Sequence, residues 1–326
     1  MVSQAGAEDG APRRAGLFAR LWPVALTVAI FVVIFLRIPF DRFRDALAEA
    51  RLLPFLGVMA TFSLCFFLMD TFVLSRMIRW FHGPLGYREL LPVRASTYVV
   101  SIVNTQLAQG ALGLYIHRRF LTPLGEIFST VAMMILLEVT QLILLATFGM
   151  LTFPREVPRG LFLVPVVLAS FWTLLWLFAH GRIGGSGDLV LRLRGNVLLQ
   201  TFRRASLAQA LAVLGLKASI TLLSLFVHKA ALGFFGIDIP LLRLLAFLPI
   251  VFMIGALPVT VAHLGTSQAA WIFFFNDYAG EADLLAYSLA SHLTFMLANG
   301  TLGLLFLPKA YADLFVHRRQ EDIRAR

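Results

Sequence analysis

The amino-acid sequence predicts an all-α, polytopic integral membrane protein with six full transmembrane helices and two re-entrant hairpins, arranged as an inverted repeat. Three observations lead to this prediction. The 326-residue chain is 59% hydrophobic and 14% charged, with a mean hydropathy of +0.82, which is far from the composition of a soluble domain. Its apolar runs have roughly the 20 residues that a helix needs to cross a bilayer core. These runs also form two similar sets, about 150 positions apart.

The two sets each contain three spans and one interrupted stretch. The first set of apolar runs comprises residues 21–38, 52–75 and 126–151, and the second comprises residues 161–179, 205–235 and 284–307. Between the second and third runs lie stretches too polar and too broken for ordinary spans, residues 90–117 and 241–276. Because each set has an odd number of spans, the second set has the opposite orientation in the membrane to the first. Inverted repeats with interrupted segments are typical of secondary transporters, where the breaks mark the binding site.

The connectors repeat as well. Residues 40–52 place Phe40, Phe43 and Leu47 on one helical face and charged side chains elsewhere, as an amphipathic helix at the membrane interface does. Residues 188–203 carry a similar apolar stripe among arginines and predict a second interfacial helix, with a plain charged loop as the alternative for both segments. Each of these segments precedes the second span of its set.

The net charge of +10 indicates orientation in the membrane rather than nucleic-acid binding. Lysine and arginine collect on the cytoplasmic side of membrane proteins. If both interrupted stretches enter and leave on one face, most of the 28 cationic residues, Arg94 among them, lie on the face that also holds both termini. The sequence therefore predicts a multi-pass protein of the cytoplasmic (inner) membrane with N- and C-termini in the cytoplasm.

The domain organisation follows from the repeat. Residues 1–16 are polar and predict a disordered cytoplasmic tail, and residues 316–326 predict a basic cytoplasmic tail. Residues 17–315 form a single membrane domain, with repeat one at about 17–155 and repeat two at about 156–315. One domain is expected because either repeat alone would expose a polar hairpin to lipid.

The hairpins supply candidate substrate-binding residues. A polar run at membrane depth must face protein or a water-filled cavity, and a half-helix starting near Gly265 would direct its N-terminal amides at an anionic group. The candidates are Asn104, Gln109, Gly113, His117, His263, Gly265, Thr266, Ser267 and Gln268. The alternative is that these small polar residues only stabilise helix–helix packing.

Three ionisable residues fall within the predicted spans. Glu138 lies in the middle of one span, His292 lies at the repeat-related position 154 residues later, and Lys217 lies in the 205–235 span. Such charges face a cavity or a partner, so Glu138 with Lys217 or His292 is a candidate pair that tunes charge or carries a proton. The alternative is an ion pair that only fixes helix register. Asp70, near the end of its run, is expected to snorkel or to pair locally.

The sequence lacks the motifs of membrane enzymes and pumps. It has no HExxH, GxSxG or GxxxxGK[ST] motif, and it therefore predicts no metal, no cofactor and no catalytic residue. If the protein were instead an intramembrane lipid-modifying enzyme, Glu138 with His292 would be its acid–base pair.

Three segments carry a resemblance to a known family. Residues 40–51, the region from Asn104 to Gly113 before Arg118 and Arg119, and residues 257–265 resemble the flippase-like transmembrane domain of lysylphosphatidylglycerol synthases and their free-standing relatives. The resemblance spans roughly residues 21–315, with no counterpart to the aminoacyl-transferase domain. Family members often carry glutamate where this chain has Leu114 and Gln268.

The resemblance implies a polytopic inner-membrane protein that moves or handles charged or glycosylated lipids. The expected function is thus the movement or binding of a polar-headed, anionic or glycosylated lipid. Its expected partners are membrane lipids and proteins of envelope biosynthesis, and no nucleic acid. Besides the lipid-modifying enzyme, a non-transporting scaffold in envelope lipid or glycan biosynthesis remains an alternative.

Overall fold

A computed structural model describes residues 17–103, 105–155, 159–185, 187–255, 260 and 264–311. These residues form helices and turns and contain no β-strand. Among them are five helices long and apolar enough to cross a membrane: Leu52–Phe81, Leu124–Thr152, Arg159–Ala179, Leu207–Gly233 and Glu281–Ala310. The predicted all-α class is confirmed for this part of the chain, and its long apolar helices are those of a membrane-embedded protein.

The helices follow one another with short connections. Those of the first half are Leu17–Arg37 (α1), Phe40–Glu49 (α2), Leu52–Phe81 (α3), Tyr87–Val103 (α4), Thr105–Phe120 (α5) and Leu124–Thr152 (α6). Those of the second half are Leu163–Ala179 (α7), Asp188–Gly195 (α8), Gln200–Arg204 (α9), Leu207–Gly233 (α10), Leu241–Gly255 (α11), Thr266–Phe275 (α12) and Glu281–Tyr311 (α13). Pro39 and Pro123 directly precede α2 and α6, where a fixed φ and a missing N–H suit a helix start.

Both stretches predicted as hairpins consist of two short helices. The first is α4 followed by α5, and the second is α11 followed by α12. At a rise of about 1.5 Å per residue, the 10 residues of α12 extend about 15 Å, half the thickness of a bilayer core. Gly265 precedes α12 with a φ of 91°, a backbone conformation that favours glycine. Asn104, Pro258 and His263 lie outside the described residues.

The two connector helices are shorter than predicted. α2 has 10 residues and α8 has 8. The expectation of one helix over residues 188–203 is wrong, because the chain leaves the helix at Asn196. The Asn196 side chain accepts a hydrogen bond from the Leu198 amide, and a 3₁₀ turn, Val197–Leu199, leads into α9. This local bond competes with helix continuation.

The first helix of each hairpin packs on a long helix of the other half. α4 makes its largest contact with α13, and α11 makes its largest contact with α6. Glycines allow both approaches: a Cβ on Gly149 would lie 2.4 Å from the Ala246 Cα, and one on Gly303 would lie 2.6 Å from the Ala95 carbonyl oxygen. Small residues at helix contacts are typical of membrane proteins.

Candidate functional site

Four charged side chains from four helices form one connected network. Asp70 on α3 accepts hydrogen bonds through Oδ2 from Arg94 on α4, with its Nε at 2.8 Å and its Nη2 at 2.6 Å. Through Oδ1, Asp70 accepts a hydrogen bond from the Lys217 Nζ on α10 at 2.9 Å. Lys217 also donates to the Glu138 Oε2 on α6 at 3.1 Å. With two acids and two bases, the network is neutral when all four side chains are ionised.

Exposure differs sharply along the network. The side chains of Asp70, Lys217 and Arg94 are 3%, 5% and 12% exposed, whereas the side chain of Glu138 is 46% exposed. The network therefore has a buried end at Asp70, called the closed end, and an exposed end at Glu138, called the open end.

Tyr98 completes the closed end. Its hydroxyl donates to the Asp70 Oδ2 at 3.4 Å, and the Arg94 guanidinium carbon lies 5.1 Å from the centre of its ring. Arg94 and Tyr98 are four residues apart on α4, so they lie on one helical face. The first helix of the predicted first hairpin thus provides two of the three side chains that donate hydrogen bonds to Asp70.

A second pair of polar side chains continues the network along α6 and α10. Thr221, one turn after Lys217, donates to the Gln141 Oε1 at 3.2 Å. Gln141 lies one turn after Glu138 and is buried. Its Nε2 is buried without a hydrogen-bond partner in the described part of the chain. A buried amide donor without a partner is uncommon and calls for an acceptor.

The network lies deep within the apolar helices. Glu138 is 14 residues from both ends of Leu124–Thr152, or about 21 Å along the helix axis from either end. Charges at such depth are expensive and either pair with one another or face a water-filled cavity. Asp70, Arg94 and Lys217 satisfy this requirement by pairing, while the half-exposed carboxylate of Glu138 lies at the edge of the packed helices.

Two expectations about charged residues are wrong. Asp70 neither snorkels nor pairs locally, because its partners Arg94 and Lys217 are 24 and 147 positions away. Arg94 does not lie on a membrane face but is buried in the network. The apolar run was expected to end at residue 75, whereas α3 continues to Phe81, which places Asp70 farther inside the helix. Glu138 was expected to pair with Lys217 or with His292, and the structure pairs it with Lys217. His292 lies half-buried on α13.

The candidate residues of the first hairpin have separate surroundings. The Gln109 Oε1 is buried without a hydrogen-bond partner among the described residues. Gly113 faces Ile127 of α6, where an added Cβ would make an ordinary contact at 3.7 Å. The His117 Nδ1 lies 2.7 Å from the Thr122 carbonyl oxygen, so this histidine holds the turn between α5 and α6.

The candidate residues of the second hairpin lie around the start of α12. The Gln268 Oε1 accepts a hydrogen bond from the Gly265 amide at 2.6 Å, and Gln268 is completely buried. Its Nε2 has no hydrogen-bond partner within the described residues. The Thr266 hydroxyl lies 3.3 Å from that of Thr260, and Ser267 packs near Gly255 of α11.

Outside the network, two other kinds of site are relevant in the described structure, a metal site and a surface cleft. The residues that the structure describes contain no group of three or more His, Cys, Asp or Glu side chains able to hold a metal ion. A surface cleft of about 420 Å³ lies between the end of α1, α2 and the start of α13, and none of the four network residues lines it. The network is accordingly the candidate site of this all-α, membrane-embedded protein.

No protein-family model matches the chain, and no curated protein matches it either. The resemblance to the flippase-like domain therefore stays a prediction based on the sequence segments given above.

Proposed function

We propose that this protein binds a polar-headed lipid, anionic or glycosylated, and moves it across the cytoplasmic membrane. The observation that carries the proposal is the half-exposed Glu138 carboxylate at the open end of a buried charge network, midway along an apolar helix. A carboxylate facing only hydrocarbon there would be strongly unfavourable. A hydrated path beside α6, along which a lipid headgroup passes while its acyl chains stay in the bilayer, would accommodate it.

The packing of the interrupted helices supports the inverted-repeat part of the proposal. Gly149 and Gly303 are 154 positions apart, as are Glu138 and His292. Each glycine admits the first helix of the opposite hairpin, at Ala246 or Ala95. Two repeats that exchange their hairpins would produce this pairing. Six spans and both termini in the cytoplasm belong to the same proposal.

The choice of a polar headgroup rests on the groups available at membrane depth. Arg94 and Lys217 provide two cations, and amide donors of Gln141 and Gln268 are buried without partners in the described structure. The first turn of α12 adds backbone amides of the kind that bind anions at helix starts. These donors suit phosphate or sugar oxygens, and membrane lipids are the proposed partners.

The test is lipid movement in reconstituted vesicles. Fluorescent phospholipid is incorporated in both leaflets, and the rate at which inner-leaflet lipid becomes accessible to an external quencher is measured. A double variant, Lys217→Met with Glu138→Gln, removes one ion pair of the network and leaves Asp70 paired with Arg94. We expect its rate to fall at least tenfold or so, the equivalent of about 1.4 kcal/mol in the barrier.

A matched control removes another ion pair from the same helix. Lys229, four residues before the end of α10, pairs with Asp238, whose side chain is exposed. The double variant Lys229→Met with Asp238→Asn should therefore keep the wild-type rate. Equal rates for the two double variants, or a wild-type rate no greater than that of protein-free vesicles, would overturn the proposed function.

A further inference from the structure

The three buried members of the network carry an excess positive charge. Asp70 contributes one negative charge, and Arg94 and Lys217 contribute one positive charge each, so the buried part has a net charge of +1. Glu138 neutralises it through one hydrogen bond at 3.1 Å. Asp70, by contrast, accepts hydrogen bonds from Arg94, Lys217 and Tyr98.

Glu138 is thus the weakly held member of the network. Among the described residues, Lys217 alone pairs with its carboxylate, and the side chain is 46% exposed, while that of Asp70 is 3% exposed. A charge-assisted hydrogen bond at an exposed position loses strength to water and to competing ions. Moving the Glu138 side chain away would leave the Asp70 contacts intact and would free one donor position on the Lys217 ammonium.

A second donor, the Gln141 amide, lies one helical turn farther along α6. Gln141 follows Glu138 by one helical turn, and Thr221 follows Lys217 by one turn, so the Gln141–Thr221 pair lies next to the Glu138–Lys217 pair along the same two helices. The Thr221 hydroxyl lies 3.2 Å from the Gln141 Oε1 and 3.3 Å from the Lys217 carbonyl oxygen, whereas the Gln141 Nε2 is buried with no partner in the described structure. An anion in place of the Glu138 carboxylate would be offered an ammonium and an amide donor.

We infer that Lys217 and Gln141 form a binding site for an anionic group, phosphate or carboxylate, from which the ligand displaces Glu138. In the absence of ligand, Glu138 acts as the internal counter-ion of Lys217. This inference rests on the proposed function for the source of the anion, a lipid headgroup. It specifies that the ligand's charge is negative, and that the bound headgroup replaces a carboxylate of the protein.

The test compares the binding of lipids that differ in headgroup charge. Purified protein in neutral detergent is titrated with phosphatidylglycerol or with phosphatidylcholine, and bound lipid is counted by native mass spectrometry. Replacing Glu138→Gln removes the competing charge and keeps the shape of the side chain. We expect phosphatidylglycerol to bind this variant about tenfold more tightly than the wild type, a difference of the size that a single ionic contact makes. Phosphatidylcholine binding should be unchanged.

The matched control is Glu126→Gln on the same helix. Glu126 is 23% exposed and pairs with Arg204 at 3.5 Å, so its loss changes the net charge of the protein equally without touching the network. Phosphatidylglycerol should bind it as it binds the wild type. Adding Gln141→Leu or Lys217→Met to Glu138→Gln should remove the gain in affinity. If Glu138→Gln binds phosphatidylglycerol no more tightly than Glu126→Gln does, the inference is overturned.

Two further arms separate the sources of the anion and the two proposals. Glycerol 3-phosphate, which carries the phosphate without acyl chains, should compete with phosphatidylglycerol only at much higher concentration. Competition at equal concentration would overturn the assignment to a lipid. Tighter binding by Glu138→Gln together with absent lipid movement would support the anion site while defeating the transport proposal. Lipid movement by the wild type, with no change in binding by Glu138→Gln, would support the transport proposal and overturn the anion site.

Discussion

Gly303 of α13 lies against Ala95 of α4 so closely that a Cβ atom on the glycine would be 2.6 Å from the alanine carbonyl oxygen. The same Cβ would lie 2.6 Å from a side-chain carbon of Val99. Glycine is the residue that allows α4 to reach its position, and α4 carries Arg94 and Tyr98 into the charge network. The packing of α13 thereby determines where the guanidinium meets Asp70.

Adding one methyl group at this contact should destabilise the protein. We expect Gly303→Ala, and likewise Gly149→Ala at the contact of α6 with α11, to lower the free energy of unfolding by about 1–3 kcal/mol, as overpacking does. The measurement is thermal unfolding in detergent, followed by the fluorescence of the five tryptophans.

Gly215 of α10 is the control for this substitution. An added Cβ there would meet no atom within 4 Å, and alanine is the better helix former. Gly215→Ala should be neutral or slightly stabilising. Equal losses of stability at all three glycines would mean that close helix contact is not the cause.

The charge network should depend most on Asp70. Replacing Asp70→Asn leaves Arg94 and Lys217 buried with only Glu138 to balance them, and breaking a buried pair in this way costs about 3–5 kcal/mol. Adding Arg94→Met to that variant restores neutrality, since Lys217 then balances Glu138. We expect the double variant to be more stable than Asp70→Asn alone, which a double-mutant cycle of unfolding midpoints would measure.

An exposed aspartate provides the comparison. Asp45 pairs with Arg44 at 3.3 Å with both side chains more than half exposed, and pairs of this kind contribute at most about 1 kcal/mol. Asp45→Asn should leave the unfolding midpoint nearly unchanged. If Asp70→Asn were equally mild, the buried network would not hold the helices together.

The helices could be predicted from the sequence because each long apolar run becomes a long helix, with ends displaced by a few residues. The contact of Glu138 with Lys217 was also anticipated, since each is a charge isolated within an apolar run. Asp70 and Arg94 were missed for physical reasons. Polar residues flank Asp70 toward the end of its run, and α3 nevertheless continues through Arg76 to Phe81. Counting arginines by membrane face assigned Arg94 to water, whereas tertiary pairing buries it.

The break at Asn196 shows a second limit of periodicity. An apolar stripe continues across residues 188–203, yet one side-chain hydrogen bond to the Leu198 amide ends the helix. Hydrophobic spacing predicts which residues can share one face of a helix. It does not predict local hydrogen bonds that compete with the helix. The glycine contacts were equally hidden, because the sequence does not show which helix will lie against Gly149 or Gly303.

His82 should make stability depend on pH. It is the first residue beyond α3, its Nε2 lies 2.8 Å from the Thr130 hydroxyl, and its Nδ1 is buried without a hydrogen-bond partner among the described residues. Burial lowers the pKa of His82 below the ordinary value of 6.5, and Arg204 lowers it further, while Glu126 raises it. The unfolded chain therefore binds the proton more readily than the folded protein does.

The sign of the effect follows from this difference. The stability due to neutral His82 is fully present above pH 6.5 or so and is lost as the pH falls toward the lower, folded-state pKa. Between pH 7.5 and 5.5 we expect the unfolding midpoint to fall more for the wild type than for His82→Gln. His180→Gln changes an exposed histidine and should retain the wild-type pH dependence; the same slope in all three proteins would exclude His82 as the source.

The start of α12 should depend on the acceptor provided by Gln268. Its Oε1 binds the Gly265 amide at 2.6 Å in a fully buried position, so Gln268→Ala leaves that N–H without its partner. Losing a cap of this kind costs about 1 kcal/mol, and a buried unsatisfied donor costs about 1–3 kcal/mol. Gln268→Glu retains an acceptor oxygen at the same reach, and burial at this position favours the neutral, protonated carboxyl group. We expect the alanine variant to unfold at a lower temperature than the glutamate variant, and equal midpoints would show that the hydrogen bond to Gly265 does not stabilise this helix start.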